Sequence, residues 1–299
     1  MNSNFSWILD EPSAYFIEVI KLFRLKQWIK NGFVAMAVIF SGDLFKLESV
    51  LLTIQAMIIF SLTSSSVYII NDIMDIKEDR IHPKKRFRPI AKGSVSIVQA
   101  KILFMVLLIA SGLWAMVINR GLFLILAAYI LTNLCYNYFL KKIIILDVMT
   151  IALGFILRVY AGAMVVGVAL SSWLIICTGL LSLYLGFAKR KNELVILTIS
   201  AANHRSTLSQ YNLEFLDKIL SLTSGLAITT YILYTINGTD NKGMIFTIPF
   251  VLYGMMRYEY LIIKENIGGS PEELFLDDKP FLINIFLWVM TAVISIYLE

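Results

Sequence analysis

Nine apolar runs follow one another along this chain, at about residues 32 to 45, 50 to 70, 102 to 119, 121 to 140, 143 to 165, 173 to 188, 219 to 236, 244 to 262 and 281 to 298. A hydrocarbon core about 30 Å thick takes roughly 20 helical residues per crossing, so the pattern predicts nine transmembrane helices. Composition agrees: 58% of the 299 residues are hydrophobic, against roughly 45 to 50% in soluble domains. No low-complexity linker divides the chain. Residues 1–299 therefore read as a single polytopic domain of an all-α integral membrane fold.

Charge placement sets the orientation, because cytoplasmic loops retain Lys and Arg. With a cytoplasmic N-terminus, the outer loops hold only Lys46, Arg120 and Lys242, Arg158 lies within a span, and every other basic residue faces inward. That bias predicts a multi-pass protein of the inner (cytoplasmic) membrane, with Glu299 outside and the aqueous chemistry on the cytoplasmic side. The residues before the first run lack a secretory cleavage pattern and read as an interfacial helix. Cys135 and Cys177 fall inside apolar runs and read as packing residues. With His82 and His204 the only histidines, zinc and haem sites lack ligands. The formal net charge of +5 suits anionic lipid and anionic substrates and gives no support for a nucleic-acid partner.

Chemistry concentrates where the second run meets water. There NDIMDIKED carries Asn71, Asp72, Asp75 and Asp79. On a continuous helix, at about 100° per residue, these side chains fall within roughly a quarter turn and converge. Converging carboxylates repel unless cations are shared between them. Hard oxygen ligands suit Mg²⁺, which binds through a few carboxylates together with substrate phosphates. A solvated helix end with scattered acids is the plainer reading, but such a segment beside a membrane span is costly to keep without a function.

The block RIHPKKRFRPIAKG follows, in which Pro83 and Pro89 end the helix and present Lys84, Lys85, Arg86, Arg88 and Lys92 beside the acids. Acids that hold metal and bases that bind the remaining phosphate oxygens together make a diphosphate site. Taken singly, each base serves equally as a topology signal.

Three more segments place polar groups in the same layer. In FRLKQWIKN, Lys26 and Lys30 are four apart and would share a helix face around Trp28, as an interface anchor or an anion site. GFAKRKNELVIL offers Lys189, Arg190 and Glu193, whose single acid suits gripping phosphate better than a second metal cluster. YNYFLKK contributes Tyr136 and Lys141. Deeper, Asp147 and Arg158 lie near one helix face with Gly154 between them, a candidate cavity wall, and the intramembrane arginine must line a wet cavity or find a partner. Nucleotide-binding glycine loops and a nucleophile elbow are absent from the sequence.

These segments resemble the UbiA superfamily of intramembrane prenyltransferases, whose first motif, NDxxDxxxD, is present as Asn71, Asp72, Asp75 and Asp79. The resemblance covers nearly the whole chain and implies nine helices around a central cavity. The aromatic prenyltransferases carry two Asp residues after the sixth helix, and this chain has KRKNE there. FRLKQWIKN, DRIHPKKRFRPIAKG, YNYFLKK and KRKNE together resemble the bacterial decaprenyl-phosphate phosphoribosyltransferase branch.

That branch implies transfer of 5-phosphoribosyl from 5-phosphoribosyl 1-diphosphate to a polyprenyl phosphate, with Mg²⁺ held by Asn71, Asp72, Asp75 and Asp79. Lys85, Arg86, Arg88, Lys189 and Arg190 would bind donor phosphates and Glu193 would orient a cation or the ribose, while Lys26, Lys30, Tyr136 and Lys141 would position the acceptor. Two alternatives remain at this stage: a prenyltransferase using prenyl diphosphate and an aromatic or isoprenoid acceptor, and an anionic-lipid carrier. A carrier needs polar access from both faces, and nearly all polar residues here are inner.

Overall fold

A computed structural model describes residues 12–82, 84–197, 208–239, 241–265 and 278–297; Pro83, His204 and Glu299 lie outside them. Every regular element among the described residues is helical: α1 (Pro12–Leu22), a 3₁₀ helix (Leu25–Ala35), α2 (Met36–Phe40), α3 (Leu47–Met74), α4 (Ile76–Ile81), α5 (Pro89–Lys92), α6 (Ile97–Ile118), α7 (Arg120–Tyr138), α8 (Leu146–Val166), α9 (Ser172–Leu197), α10 (Leu213–Asn237), α11 (Ile248–Glu265) and α12 (Lys279–Tyr297), with short 3₁₀ turns between some of them. Among the described residues, seven helices are long and apolar enough to cross a membrane: α3, α6, α7, α8, α9, α10 and α12.

The other two apolar runs take different forms. α11 carries Arg257 and Glu259 within its 18 residues. The first run is not one α-helix: the 3₁₀ helix Leu25–Ala35 passes into the five-residue α2. A 3₁₀ helix rises about 2.0 Å per residue against about 1.5 Å for an α-helix, so the pair still extends about 30 Å.

Packing explains this long 3₁₀ stretch. With three residues per turn, Trp28, Asn31 and Val34 form one line against α3 and α8. Trp28 Nε1 donates to Ser65 Oγ at 3.0 Å and Asn31 Nδ2 to Ser61 Oγ at 2.8 Å. Val34 is fully buried, and its carbonyl sits so close to α8 that a Cβ at Gly162 would lie 1.9 Å from it. The opposite line, Arg24, Gln27, Lys30 and Phe33, faces a cavity. Lys26 and Lys30 therefore do not share a face: at about 120° per residue, positions four apart diverge by about 120°.

Small residues let these backbones approach. Ser61, Thr63, Ser64, Ser65 and Ser66 of α3 are all buried, as at membrane helix contacts generally. Their hydroxyls return to backbone carbonyls, as in Thr63 to Ile59 at 3.0 Å and Ser66 to Thr63 at 2.7 Å. α6 is held at its start by a Ser96–Gln99 capping box, and its outer stripe of Ile102, Val106, Ile109 and Leu113 is exposed, suited to lipid. The end of α3, the end of α7, the start of α8 and the end of α9 meet on one face, where the polar segments gather.

Candidate active site

The acidic motif does not lie on an unbroken helix. α3 stops at Met74, Asp75 forms a turn, and α4 begins at Ile76. The four side chains form two groups, Asp72 with Asp79 and Asn71 with Asp75, as their angular order on a helix already places them. Asp72 and Asp79 are buried and face basic residues from either side. One Arg88 nitrogen, Nη1, donates to Asp72 Oδ1 at 3.0 Å and to Asp79 Oδ2 at 2.6 Å, and Arg24 Nη2 also donates to Asp72. Arg24 in turn lies over the Tyr68 ring, 4.9 Å from its centroid. Asp75 and Asn71 turn instead toward the end of α7, where Lys141 Nζ lies 2.6 Å from Asp75 Oδ1 and Asn137 donates to Asn71 Oδ1.

Pro89 opens a helix here rather than ending one: it is the first residue of α5, where its missing N–H leaves no bond unmade. Gly93, at φ 85°, closes that helix. Arg88, in extended conformation just before α5, reaches back to the acids.

Beside these pairs lies a cavity of about 1280 Å³. Of the residues singled out in the sequence, Lys30, Asn71, Lys84, Lys85, Arg88, Tyr136, Gly154, Arg158, Lys189 and Glu193 line it, whereas Asp147, expected on the same wall as Gly154 and Arg158, does not. Lys26 and Arg86 are exposed outside it, Arg86 stacking 4.8 Å over Phe87. Lys141 and Arg190 are also outside the lining, each engaged by a carboxylate. Sequence reasoning passed over Gln27, Asn133 and Asn192, which line the cavity. Each lies three positions from a residue already singled out, Gln27 from Lys30, Asn133 from Tyr136 and Asn192 from Lys189, and Asn192 falls inside KRKNE, so spacing could have found all three. At the far end the lining becomes aromatic. Phe40 stands 6.2 Å from Tyr234 and 6.1 Å from Trp288, and Trp288 Nε1 donates to the Tyr231 hydroxyl at 2.8 Å.

Arg158 finds its partners within the bundle. Nε donates to Asn31 Oδ1 at 2.8 Å, Nη1 to the Gly154 carbonyl at 2.7 Å and Nη2 to the Tyr129 hydroxyl at 3.2 Å, with Phe60, Tyr129 and Phe155 packed around the guanidinium. Through Asn31 it ties the 3₁₀ helix to α7 and α8. Gly154 gives Arg158 its carbonyl, and a Cβ there would meet the guanidinium at 3.4 Å.

Arg190 is likewise buried. Its Nε donates to Asp147 Oδ2 at 2.7 Å and its Nη1 to Glu193 Oε2 at 2.6 Å, while the Tyr211 hydroxyl donates to Asp147 Oδ1 at 2.7 Å. Burial, and then the hydrogen bond to Asp147, push the Tyr211 hydroxyl well above its ordinary pKa. Tyr184 donates to Glu259 Oε2 at 2.6 Å, which accounts for the acid within α11.

Among the described residues no three acids stand together as metal ligands. Asp72 and Asp79 nevertheless aim two hard oxygen donors at a single cationic nitrogen, and that donor chemistry fits a divalent ion such as Mg²⁺. Asp72 and Asp79 would hold such an ion with the oxygens that now accept from Arg88.

Comparison with known proteins agrees with this architecture. The model of the UbiA prenyltransferase family matches residues 32–290. The decaprenyl-phosphate phosphoribosyltransferase of Mycolicibacterium smegmatis is 32% identical over 295 residues, covering 93% of this chain and 92% of that protein. Its namesake from Mycobacterium tuberculosis is 27% identical over 291 residues, covering 95% and 96%. The structure of a UbiA homolog from Archaeoglobus fulgidus bound to GPP and Mg²⁺ superposes with a TM-score of 0.70 at 18% identity, over 93% of this chain and 99% of that one. The chain belongs to the UbiA prenyltransferase family.

Proposed function

We propose that this protein transfers the 5-phosphoribosyl group of 5-phosphoribosyl 1-diphosphate to a polyprenyl phosphate and releases diphosphate. The observation that carries this reading is the cavity itself. Its polar end gathers Arg24, Lys30, Lys85, Arg88 and Lys189 with one carboxylate, Glu193, and its other end is aromatic and apolar. A doubly phosphorylated sugar fits the first part and an isoprenoid the second. The near full-length likeness to phosphoribosyltransferases supports the choice of donor.

In this mechanism the bond between the anomeric carbon and the diphosphate breaks as a lipid phosphate oxygen bonds to the same carbon. Asn71, Asp72, Asp75 and Asp79 would hold Mg²⁺, which when bound neutralises the departing diphosphate. Lys30, Lys85 and Lys189 bind phosphate oxygens, and Arg88 joins them when it leaves the acids. Positive charge developing on the ribose ring is met by Glu193, whose carboxylate also receives ribose hydroxyls. Tyr136 holds the acceptor phosphate at the cavity wall, where proximity raises its effective concentration. A phosphate monoester with a second pKa near 6 is largely ionised at neutral pH, so the nucleophile needs no catalytic base. Lys26 and Arg86 draw anions to the cavity mouth, Lys141 acts by orienting Asp75, and Arg190 acts through Glu193.

The same reading has nine crossings, with the 3₁₀ helix and α2 forming the first and α11 the eighth. The N-terminus and the polar face are cytoplasmic, in the inner membrane. The donor then enters from water, and the lipid keeps its chain in the bilayer, because extracting it costs about 0.8 kcal/mol per CH₂. The test is to incubate the purified protein with Mg²⁺ and each pairing of ribosyl or prenyl diphosphate donor with polyprenyl phosphate or aromatic acceptor, then weigh the lipid products. A polyprenyl phosphoribose product supports the proposal, and a prenylated aromatic ring refutes it.

A further inference from the structure

α8 is entered through a backbone conformation that its residue disfavours. Ile145 has φ 71° and ψ −48°, and the Leu146 amide donates to the Ile144 carbonyl at 2.8 Å. This is a γ-turn of the rarer, strained hand, at a β-branched residue for which positive φ is an outlier. Such strain persists only where surrounding contacts over-determine it. Here the contact is the Tyr211 hydroxyl, which accepts from the Ile145 amide at 2.9 Å.

Tyr211 passes the constraint on. Its hydroxyl donates to Asp147 Oδ1 at 2.7 Å, Asp147 Oδ2 accepts from Arg190 Nε at 2.7 Å, and Arg190 Nη1 donates to Glu193 Oε2 at 2.6 Å. Asp147, Arg190 and Tyr211 are only 2 to 4% exposed, whereas Glu193 reaches the cavity. An Arg–Glu pair three residues apart on one helix has several geometries open to it. Clamping the Nε edge of the planar guanidinium leaves its fork one orientation, and buried charges joined by hydrogen bonds resist rearrangement.

We propose that Tyr211 and Asp147 are positioning residues for the transfer reaction: anchored by the strained turn at Ile145 and acting through Arg190, they fix the Glu193 carboxylate on the cavity wall where the hydroxylated donor binds. This rests on the reading of Glu193 as the group that receives the ribose. Neither residue touches substrate. A displacement of about 1 Å in such a group is enough to lower a rate markedly, which gives the strained entry a purpose beyond starting α8.

The test uses the full chain in lipid nanodiscs as wild type, Tyr211→Phe, Glu193→Gln, both together, and Tyr211→Phe with Ile145→Gly. The Ile145 side chain is exposed, so the glycine removes strain at little loss of packing. Tyr211→Phe is expected to raise the KM for the ribosyl donor about tenfold while the KM for the lipid holds. Because both act through one carboxylate, the double variant should be no worse than Glu193→Gln. Adding Ile145→Gly to Tyr211→Phe should recover about a third or more of the loss on a logarithmic scale.

Additive effects in the double variant overturn the proposal, and so does a drop in melting temperature with an unchanged donor KM, the mark of a merely structural tyrosine. If wild type turns over no ribosyl donor, the assigned reaction falls. Melting temperatures of the same proteins then decide the linkage: non-additive shifts for Tyr211→Phe and Glu193→Gln support it, and additive shifts overturn it.

Discussion

Arg88 and Asp79 lie 2.6 Å apart, and the same arginine nitrogen reaches Asp72 at 3.0 Å. One guanidinium thus stands between two carboxylates of the acidic motif. If those acids hold a metal and that arginine a donor phosphate, as proposed, the two events are linked, because the metal would compete with the Arg88 guanidinium for the same carboxylate oxygens. Arg88→Ala should tighten Mn²⁺ binding to donor-free protein about tenfold, because it removes a competing cation, and weaken donor binding by a similar factor. Electron paramagnetic resonance of Mn²⁺ measures the first effect and calorimetry the second. Unchanged metal affinity would place the metal away from Asp72 and Asp79.

Asp72→Asn removes a charge from a buried carboxylate that also orients Arg24. Turnover should fall at least about a hundredfold, with the protein still eluting as a folded species. Activity within a few fold of wild type would contradict the assignment.

Gly162→Ala should displace the 3₁₀ helix, since the new Cβ would lie 1.9 Å from the Val34 carbonyl. Overpacking of this kind costs about 1 to 3 kcal/mol. The same shift moves Arg24, Gln27 and Lys30 along the cavity wall, so donor and acceptor KM values should both rise. Thermal melting and steady-state kinetics check the two expectations, and a neutral substitution would mean that the segment can recede without consequence.

The apolar runs of α3, α6, α7, α8, α9, α10 and α12 were legible in the sequence because length and apolarity alone decide a span. The acid and base segments around Asp72 and Arg88 were legible because charged residues beside a span stand out. Local geometry was less accessible. Lys26 and Lys30 were paired by α-helical spacing, and only the packing of Trp28, Asn31 and Val34 on a serine-rich face reveals a period of three. Long-range partners were beyond reach: Arg158 meets Asn31 from 127 positions away and Arg190 meets Asp147 from 43. No periodicity within a segment encodes such pairs, so Arg190 read as a phosphate ligand when it is buried against α8.

Arg190→Ala should therefore cost stability before it costs donor affinity. It leaves Asp147, 2% exposed, without its guanidinium, and breaking a buried pair from one side is worth about 3 to 5 kcal/mol. Replacing both partners, as Arg190→Met with Asp147→Leu, should restore much of that loss while leaving Glu193 unheld and the donor KM high. Differential scanning fluorimetry in detergent reads the stability. A fully stable Arg190→Ala protein would show that the pair does not hold α8 to α9.

The most direct measurement follows phosphorus. The donor is prepared in two forms, one with ³²P in the 5-phosphate and one with ³²P in the β-phosphate of the diphosphate, and each is incubated with the protein, Mg²⁺ and polyprenyl phosphate before extraction into organic solvent. Ribosyl transfer carries the 5-phosphate label into the lipid and leaves the β-label in water as diphosphate. Both labels remaining in water, or the β-label entering the lipid, would contradict the account.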